Sequence, residues 1–163
     1  ISRYVEMVEG QVIHLDDHHE MLSSGWTDPT PWDTYREEGE DALRERIEAM
    51  VTQLSNPNNA VFNLHAPPYG SGLDDAPELT KDMQVAYAGQ STESVGSHAV
   101  RGVIEDYQPL LGLFGHIHEA KGARRIGRTL CINPGSAYEE GVLQGALIQL
   151  KPRKVSNYIL TTG

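Results

Sequence analysis

Apolar positions in this chain fall into short alternating or continuous runs, interrupted by two stretches with helical spacing. That pattern predicts a mixed α/β domain. Residues 11–15 read as a strand after Gly10, and residues 20–24 as its hairpin partner across the polar turn Asp16-Asp17-His18-His19. The stretch from Gly25 to Trp32 holds two prolines and two tryptophans, which rule out regular structure and suit a braced loop. A helix should follow, opened by Thr34 and Glu37 as a capping box, with Leu43, Ile47, Met50, Val51 and Leu54 on its apolar face. Glu37, Glu38, Glu40 and Asp41 read as solvated residues favoured near its N-terminal end by the helix dipole. Asn56-Pro57-Asn58-Asn59 ends that helix, and residues 60–64 form a strand that delivers His65 at its carboxyl end.

Residues 66–72 contain two prolines and two glycines and must be a rigid loop over that strand end. Little periodicity follows from Leu73 to about Val95, so this segment reads as a long loop, with Asp74 and Asp75 as loop residues. Ser97 can cap a second helix bearing Val100, Val103, Ile104 and Tyr107, which Pro109 stops before a strand at residues 110–114. The order strand, helix, strand implies a βαβ unit with parallel neighbours. Beyond it, a hairpin around Gly127, a turn at Asn133-Pro134-Gly135-Ser136 and strands at residues 146–150 and 155–160 add an antiparallel region.

Chemistry concentrates at Gly115-His116-Ile117-His118. On extended backbone two residues apart point the same way, so His116 and His118 can converge, and neutral imidazole binds divalent transition metals well. Two surface histidines in a turn remain the plainer alternative. His65 sits at a matching strand end, the edge where open α/β sheets collect ligands. In the 16–19 turn, Asp16, His18 and His19 have ligand-type side chains, yet a polar tetrad between two short strands is what an exposed turn requires.

Composition narrows the rest. The chain has 163 residues, 39% of them hydrophobic and 22% charged, which fits one domain over residues 1–163. No apolar run approaches the roughly 20 residues that span a bilayer, and no signal peptide is visible, so a cytoplasmic location and no membrane partner are expected. The single cysteine, Cys131, lies among apolar neighbours and reads as a buried, inert thiol. Lysine and arginine total 13 against 23 acidic residues, a net charge of −10 that repels polyanions, so nucleic acid is not an expected partner. Lys121, Arg124, Arg125 and Arg128 flank the histidines and could hold a phosphate, although a solvated hairpin face explains them as well.

Taken in order, Asn63-Leu64-His65, Gly115-His116-Ile117-His118 and Asn133-Pro134-Gly135-Ser136 resemble the carboxyl-terminal half of the calcineurin-like metallophosphoesterases. The Pro29-Thr30-Pro31-Trp32 and Pro67-Pro68-Tyr69-Gly70 loops resemble those of small prokaryotic members. The resemblance implies a four-layer α/β/β/α sandwich with a two-metal site at the carboxyl edge of its sheets. It implies His65 and His116 as ligands of one metal and His118 as a ligand of the other. Two divalent ions, manganese, iron, zinc, cobalt or nickel, would activate a hydroxide for hydrolysis of a phosphate ester, with a phosphodiester favoured.

The family's Asp-x-His, Gly-Asp-x-x-Asp and Gly-Asn-His-Asp motifs are not recognisable in these residues, so no catalytic residue and no metal-bridging aspartate can be assigned. Three histidines cannot hold a metal pair, which needs anionic carboxylates to offset its charge. The chain is therefore expected to be the carboxyl-terminal portion of a metallophosphoesterase domain, catalytically poor alone. Its expected partners are a phosphate-ester small molecule and a missing amino-terminal half or complementing chain. The alternatives are an incomplete domain that binds a single metal or a protein partner, and a purely structural role for the histidines.

Overall fold

Residues 5–80, 82–86 and 91–163 are described by the computed structural model. The expected opening hairpin forms from β1 (Gln11–His14) and β2 (Glu20–Ser24), paired antiparallel with Val12 opposite Leu22. From β2 the chain passes through helix α1 (Glu40–Val51) to β3 (Val61–Leu64), and from β3 through α2 (His98–Tyr107) to β6 (Leu111–Leu113). Between β3 and α2 lie two short strands, β4 (Asp75–Pro77) and β5 (Thr92–Ser94), paired antiparallel. The expected long loop thus contains a small ribbon, missed because three-residue strands carry no readable period. Part of that loop, Lys81 and residues 87–90, lies outside the described residues.

The hairpin around Gly127 joins β7 (Gly122–Ile126) to β8 (Thr129–Asn133), with Gly127 at φ +57°, a left-handed conformation that glycine adopts without a Cβ clash. The last hairpin, β9 (Gln144–Lys151) and β10 (Lys154–Thr162), is longer than the periodicity predicts. In the main sheet the order is β1-β2-β3-β6-β8-β7. Strands β2, β3, β6 and β8 run parallel, and β1 and β7 close the two edges antiparallel.

Alternation along the central strands divides the core in two. Leu22, Phe62, Leu64 and Cys131 face the helices and join Leu43, Ile47, Val100 and Ile104 in one cluster. Val61, Leu111, Leu130 and Ile132 face the other way and pack under Ala146, Ile148, Leu150, Val155 and Leu160 of the β9–β10 hairpin. The described residues therefore stack as helices, main sheet and hairpin, a mixed α/β arrangement. Complete burial of Phe62 or Leu22 contributes about 2 kcal/mol each. Cys131 is fully buried, and burial pushes its thiol up to about 12, so it is inert as expected.

Several local expectations change. Helix α1 begins at Glu40 with Gly39 as its N-cap, not at the Thr34–Glu37 pair. That pair does form, but in the preceding loop: the Glu37 carboxylate accepts from the amides and hydroxyls of both Thr30 and Thr34, which holds it down to about 2. Leu54 is buried beyond the helix end. Glu40 is not a solvated helix residue. Its carboxylate accepts from the Ser97 hydroxyl at 2.6 Å and from the His98 and Ala99 amides at 2.8 Å, so the first residue of α1 caps the start of α2. Ser97 itself caps α2 as expected, its hydroxyl accepting from the Val100 amide at 3.1 Å. Of the two tryptophans in the proline-rich loop, Trp26 is half-buried beneath the Arg46 guanidinium and Trp32 stands in solvent.

No helix among the described residues is long and apolar enough to cross a membrane.

Candidate metal centre

Two histidines meet beyond the carboxyl ends of neighbouring parallel strands. His65 follows β3, and its amide donates to the Ser24 carbonyl at 2.9 Å, prolonging the β2–β3 pairing by one residue. The Gly115 amide then donates to the His65 carbonyl at 3.1 Å, and His116 follows. Side chain to side chain, His116 Nδ1 lies 3.1 Å from His65 Nε2, with ring centroids 4.7 Å apart. The two residues thus occupy equivalent strand-end positions, as the sequence implies, with their rings in contact.

His118 does not reach its neighbours by the expected route. The strand argument requires extended backbone through residues 116–118, but β6 ends at Leu113, His116 sits at φ +63° and the Ile117 amide turns back to the Gly115 carbonyl at 2.7 Å. A left-handed non-glycine residue costs about 1–3 kcal/mol and persists only where its surroundings over-determine it. Here the reason for the bend is visible: Ile117 is pulled into the core, so the side chains of His116 and His118 flank a buried residue. The His118 ring packs edge-on against Tyr138, with centroids 5.4 Å apart.

The brace for this turn is Asn133, at the end of β8 and fully buried. Its Nδ2 donates to the Ile117 carbonyl at 2.8 Å and the Leu73 carbonyl at 3.1 Å, and its Oδ1 accepts from the Gly135 amide at 2.9 Å. The Ser136 amide closes on the His118 carbonyl at 3.0 Å. The Asn-Pro-Gly-Ser segment thus acts through hydrogen bonds to the histidine turn, a role the bare turn signal did not reveal.

A second brace lies in the loop after His65. Asp74, expected to be an ordinary loop residue, is fully buried, and its carboxylate accepts from the amides of Gly70, Ser71, Gly72 and Gly96. Four converging amides hold the loop closed over the strand ends. The signal for this residue in the sequence was the glycine density at Gly70 and Gly72, which frees backbone N–H groups to turn inward on one acceptor.

Burial lowers the proton affinity of both His65 and His116, and positive charge on neighbouring imidazoles, His116 and His118 for the first and His118 for the second, lowers it further. At neutral pH both rings are therefore uncharged, the form that binds a metal. For two ligands on one ion, bonds of about 2.0–2.1 Å and angles between square and tetrahedral place the nitrogens roughly 2.9–3.4 Å apart, and the observed 3.1 Å falls within that span. Yet among the described residues no group of three or more His, Cys, Asp or Glu side chains could hold a metal. The donors fit two positions on a single transition-metal ion. Alone they lack the carboxylates that a metal pair requires.

Two recesses adjoin the histidines. One, of about 420 Å³, has Glu9, Ser24, Asn63, His65 and Gly115 in its wall. The other, of about 830 Å³, contains His116 and His118 and opens between the Thr30–Trp32 loop, Tyr69 and Tyr138. The basic side chains beyond β6 do not converge on either: Lys121 reaches the Thr161 carbonyl and Thr162 hydroxyl, Arg125 the Arg128 carbonyl, and Arg128 reaches Asn58. Arg124 reaches the neighbouring Ala123 carbonyl, and all four side chains are exposed, the solvated hairpin face of the two expectations. In the 16–19 turn, His19 is not exposed as a turn residue should be but is 2% accessible. Its Nδ1 lies 2.9 Å from Asp16, and its Nε2 lies 3.2 Å from the Lys151 carbonyl oxygen.

No protein-family model matches the sequence. Over 113 residues the chain is 32% identical to an uncharacterised protein of Methanocaldococcus jannaschii, MJ1162, covering 68% of this chain and 45% of that protein. TT1561 of Thermus thermophilus superposes with a TM-score of 0.53 at 21% identity, covering 96% of this chain and 57% of that one. A second crystal structure superposes with a TM-score of 0.56 at 19% identity, covering 85% of this chain and 49% of the other. The likeness to the solved structures is one of fold. The chain spans about half the length of the relatives it matches.

Proposed function

We propose that the chain is the carboxyl-terminal portion of a calcineurin-like metallophosphoesterase domain. In this reading His65 and His116 ligate one divalent metal ion, His118 serves a second, and the carboxylates that complete both shells come from polypeptide outside these 163 residues. The helix, sheet and hairpin layers would be three of four, with a further helical layer supplied by the same source. The 3.1 Å approach of two uncharged imidazole nitrogens at adjacent strand ends carries the proposal. A metal pair bound there would activate a water molecule and neutralise phosphoryl charge, acting on a phosphate ester, with a diester favoured. This chain's own contribution is to hold two neutral donors still: Asn133 fixes the histidine turn, and Asp74 fixes the loop that follows His65.

The test has two arms. The 163-residue chain should bind one equivalent of cobalt(II) with a visible spectrum of histidine coordination, and both binding and spectrum should vanish in His65→Ala and in His116→Ala. The chain extended by its upstream coding sequence should hydrolyse bis(p-nitrophenyl) phosphate only with added metal. Failure of the first arm removes the ligand assignment; metal binding without hydrolysis in the second favours a domain that binds a single ion.

A further inference from the structure

The larger cleft beside His116 carries information about its occupant that the histidines do not. Three loops far apart in sequence bring aromatic rings to it: Trp32, Tyr69 and Tyr138. Trp32 and Tyr138 are 64% and 65% exposed, and Tyr69 39%. Rings of this size are usually covered in a folded domain, so three uncovered ones around a single cavity mark a surface built for contact. Two of them are already oriented. Tyr69 stacks on His98 at a centroid distance of 3.9 Å and an interplanar angle of 27°, and Tyr138 stands edge-on to His118.

The charge of the same cleft points in a second, independent direction. Its described lining contains four carboxylates, Asp28, Glu40, Glu93 and Glu119, and neither lysine nor arginine. Among the described cations near this lining in sequence, Arg36 pairs with Glu9, Lys121 reaches Thr161 and Thr162, and Arg101 pairs with Glu105 and donates to the Tyr69 carbonyl at 3.2 Å. Polyphosphates and dianionic monoesters would enter against this field, whereas a single negative charge at the histidine end meets far less opposition. The acidic wall suits an organic arm that is neutral or positively charged.

We infer that this cleft takes a phosphodiester whose organic arm is a flat, uncharged or cationic aromatic group seated among Trp32, Tyr69 and Tyr138, and that it rejects dianionic monoesters. The inference rests on the phosphoester reading of the adjoining histidines and names the substrate class for it. Ring stacking of this kind gives roughly a two- to tenfold preference beyond burial.

Three non-hydrolysable probes separate the contributions at mildly alkaline pH: methyl(phenyl)phosphinate, with a ring and one charge; phenylphosphonate, with the ring and two charges; and ethyl(methyl)phosphinate, with one charge and no ring. Each is titrated calorimetrically into the 163-residue chain loaded with manganese, and into the metal-free chain, with tryptophan fluorescence as a second readout. The first probe should bind about tenfold more tightly than either other. Trp32→Ala and Tyr138→Ala should each reduce the ring preference severalfold, and the Glu93→Gln, Glu119→Gln double variant should admit the dianion. Equal binding of the three probes, including none, overturns the inference, as does a preference for phenylphosphonate or a ring preference untouched by both aromatic variants. Ring selectivity that persists in His116→Ala without bound metal upholds the cleft and counts against the metal reading; metal binding without ring selectivity does the reverse.

Discussion

Two histidine sites in this molecule look alike in sequence and are opposites in structure. His19 and His116 each sit in a short polar turn next to a strand, each with another histidine close by in sequence. At His19 both ring nitrogens face oxygen acceptors, the Asp16 carboxylate on one side and the Lys151 carbonyl on the other. Each ring nitrogen is turned onto an oxygen atom of the fold, so neither is presented to a metal. At His116 the facing atom is another imidazole nitrogen, and one of the two must present a lone pair. A histidine turned onto acceptors ties elements together, here the β1–β2 turn to the β9–β10 hairpin; a histidine facing its own kind keeps the lone pair that the proposed ligand role requires.

The largest expected effect separates the two sites by stability. His19→Ala leaves the Lys151 carbonyl without its partner and opens a void under the hairpin, which should cost about 3 kcal/mol in chemical denaturation while cobalt binding stays unchanged. His116→Ala should do the opposite, lowering metal affinity by more than about 100-fold while removing only a half-buried ring and leaving the left-handed backbone as it was, so that unfolding shifts less than in His19→Ala. If the two variants lose stability and metal in parallel, the distinction between tie and ligand fails. Asp74→Ala belongs with the structural group. It strands four inward-turned amides, and about 3 kcal/mol should be lost together with order in the loop after His65, which amide exchange would locate at residues 70–72.

The contrast between the two histidines extends to what was legible in the sequence. Strand runs such as residues 60–64 and 110–114 were legible because burial on both faces leaves continuous apolar letters. The βαβ order around Ser97 followed from a capping residue and a 3.6 period. Contacts between distant segments were not legible: Glu40 capping α2, Asn133 holding the histidine turn and His19 reaching Lys151 are each set by where the main sheet brings backbone groups together. His65 and His116 could be paired because both follow strands of one sheet. The bend at His116, which turns Ile117 inward, has no periodic signature, so the expectation that His118 points the same way rested on extended backbone that the chain does not keep.

Acidification tests the tie. Hydrogen bonds from His19 and from the His18 amide lower the Asp16 carboxyl from 3.8 to about 2. A carboxylate with a depressed folded value stabilises the fold fully above 3.8, and that contribution is lost as pH falls toward about 2. Glu37 is held at about 2 by Thr30 and Thr34 and adds a slope of the same sign in an overlapping window. Asp16→Asn should therefore flatten only part of the acid limb of a stability–pH curve, and the remainder should disappear with Glu37→Gln. An unchanged acid limb in Asp16→Asn would mean that the carboxylate contributes nothing to holding His19.

The smallest expected effect is the sharpest for the ligand pair. Imidazoles with lowered folded values bind fewer protons than the unfolded chain just below its value of 6.5, so stability should decline as pH falls through 6.5 and level off once both rings are protonated. The same lowering delays competition between protons and metal, so metal binding should persist to lower pH than an exposed histidine pair would allow. Burial is the first cause for His65 and the charge of His116 the second. His116→Ala should therefore raise the His65 midpoint only part of the way to 6.5, as read from its ring carbon protons in an NMR titration. A full return to 6.5 would assign the shift to charge alone and would mean that His65 stands in water, where nothing holds its nitrogen ready for a metal.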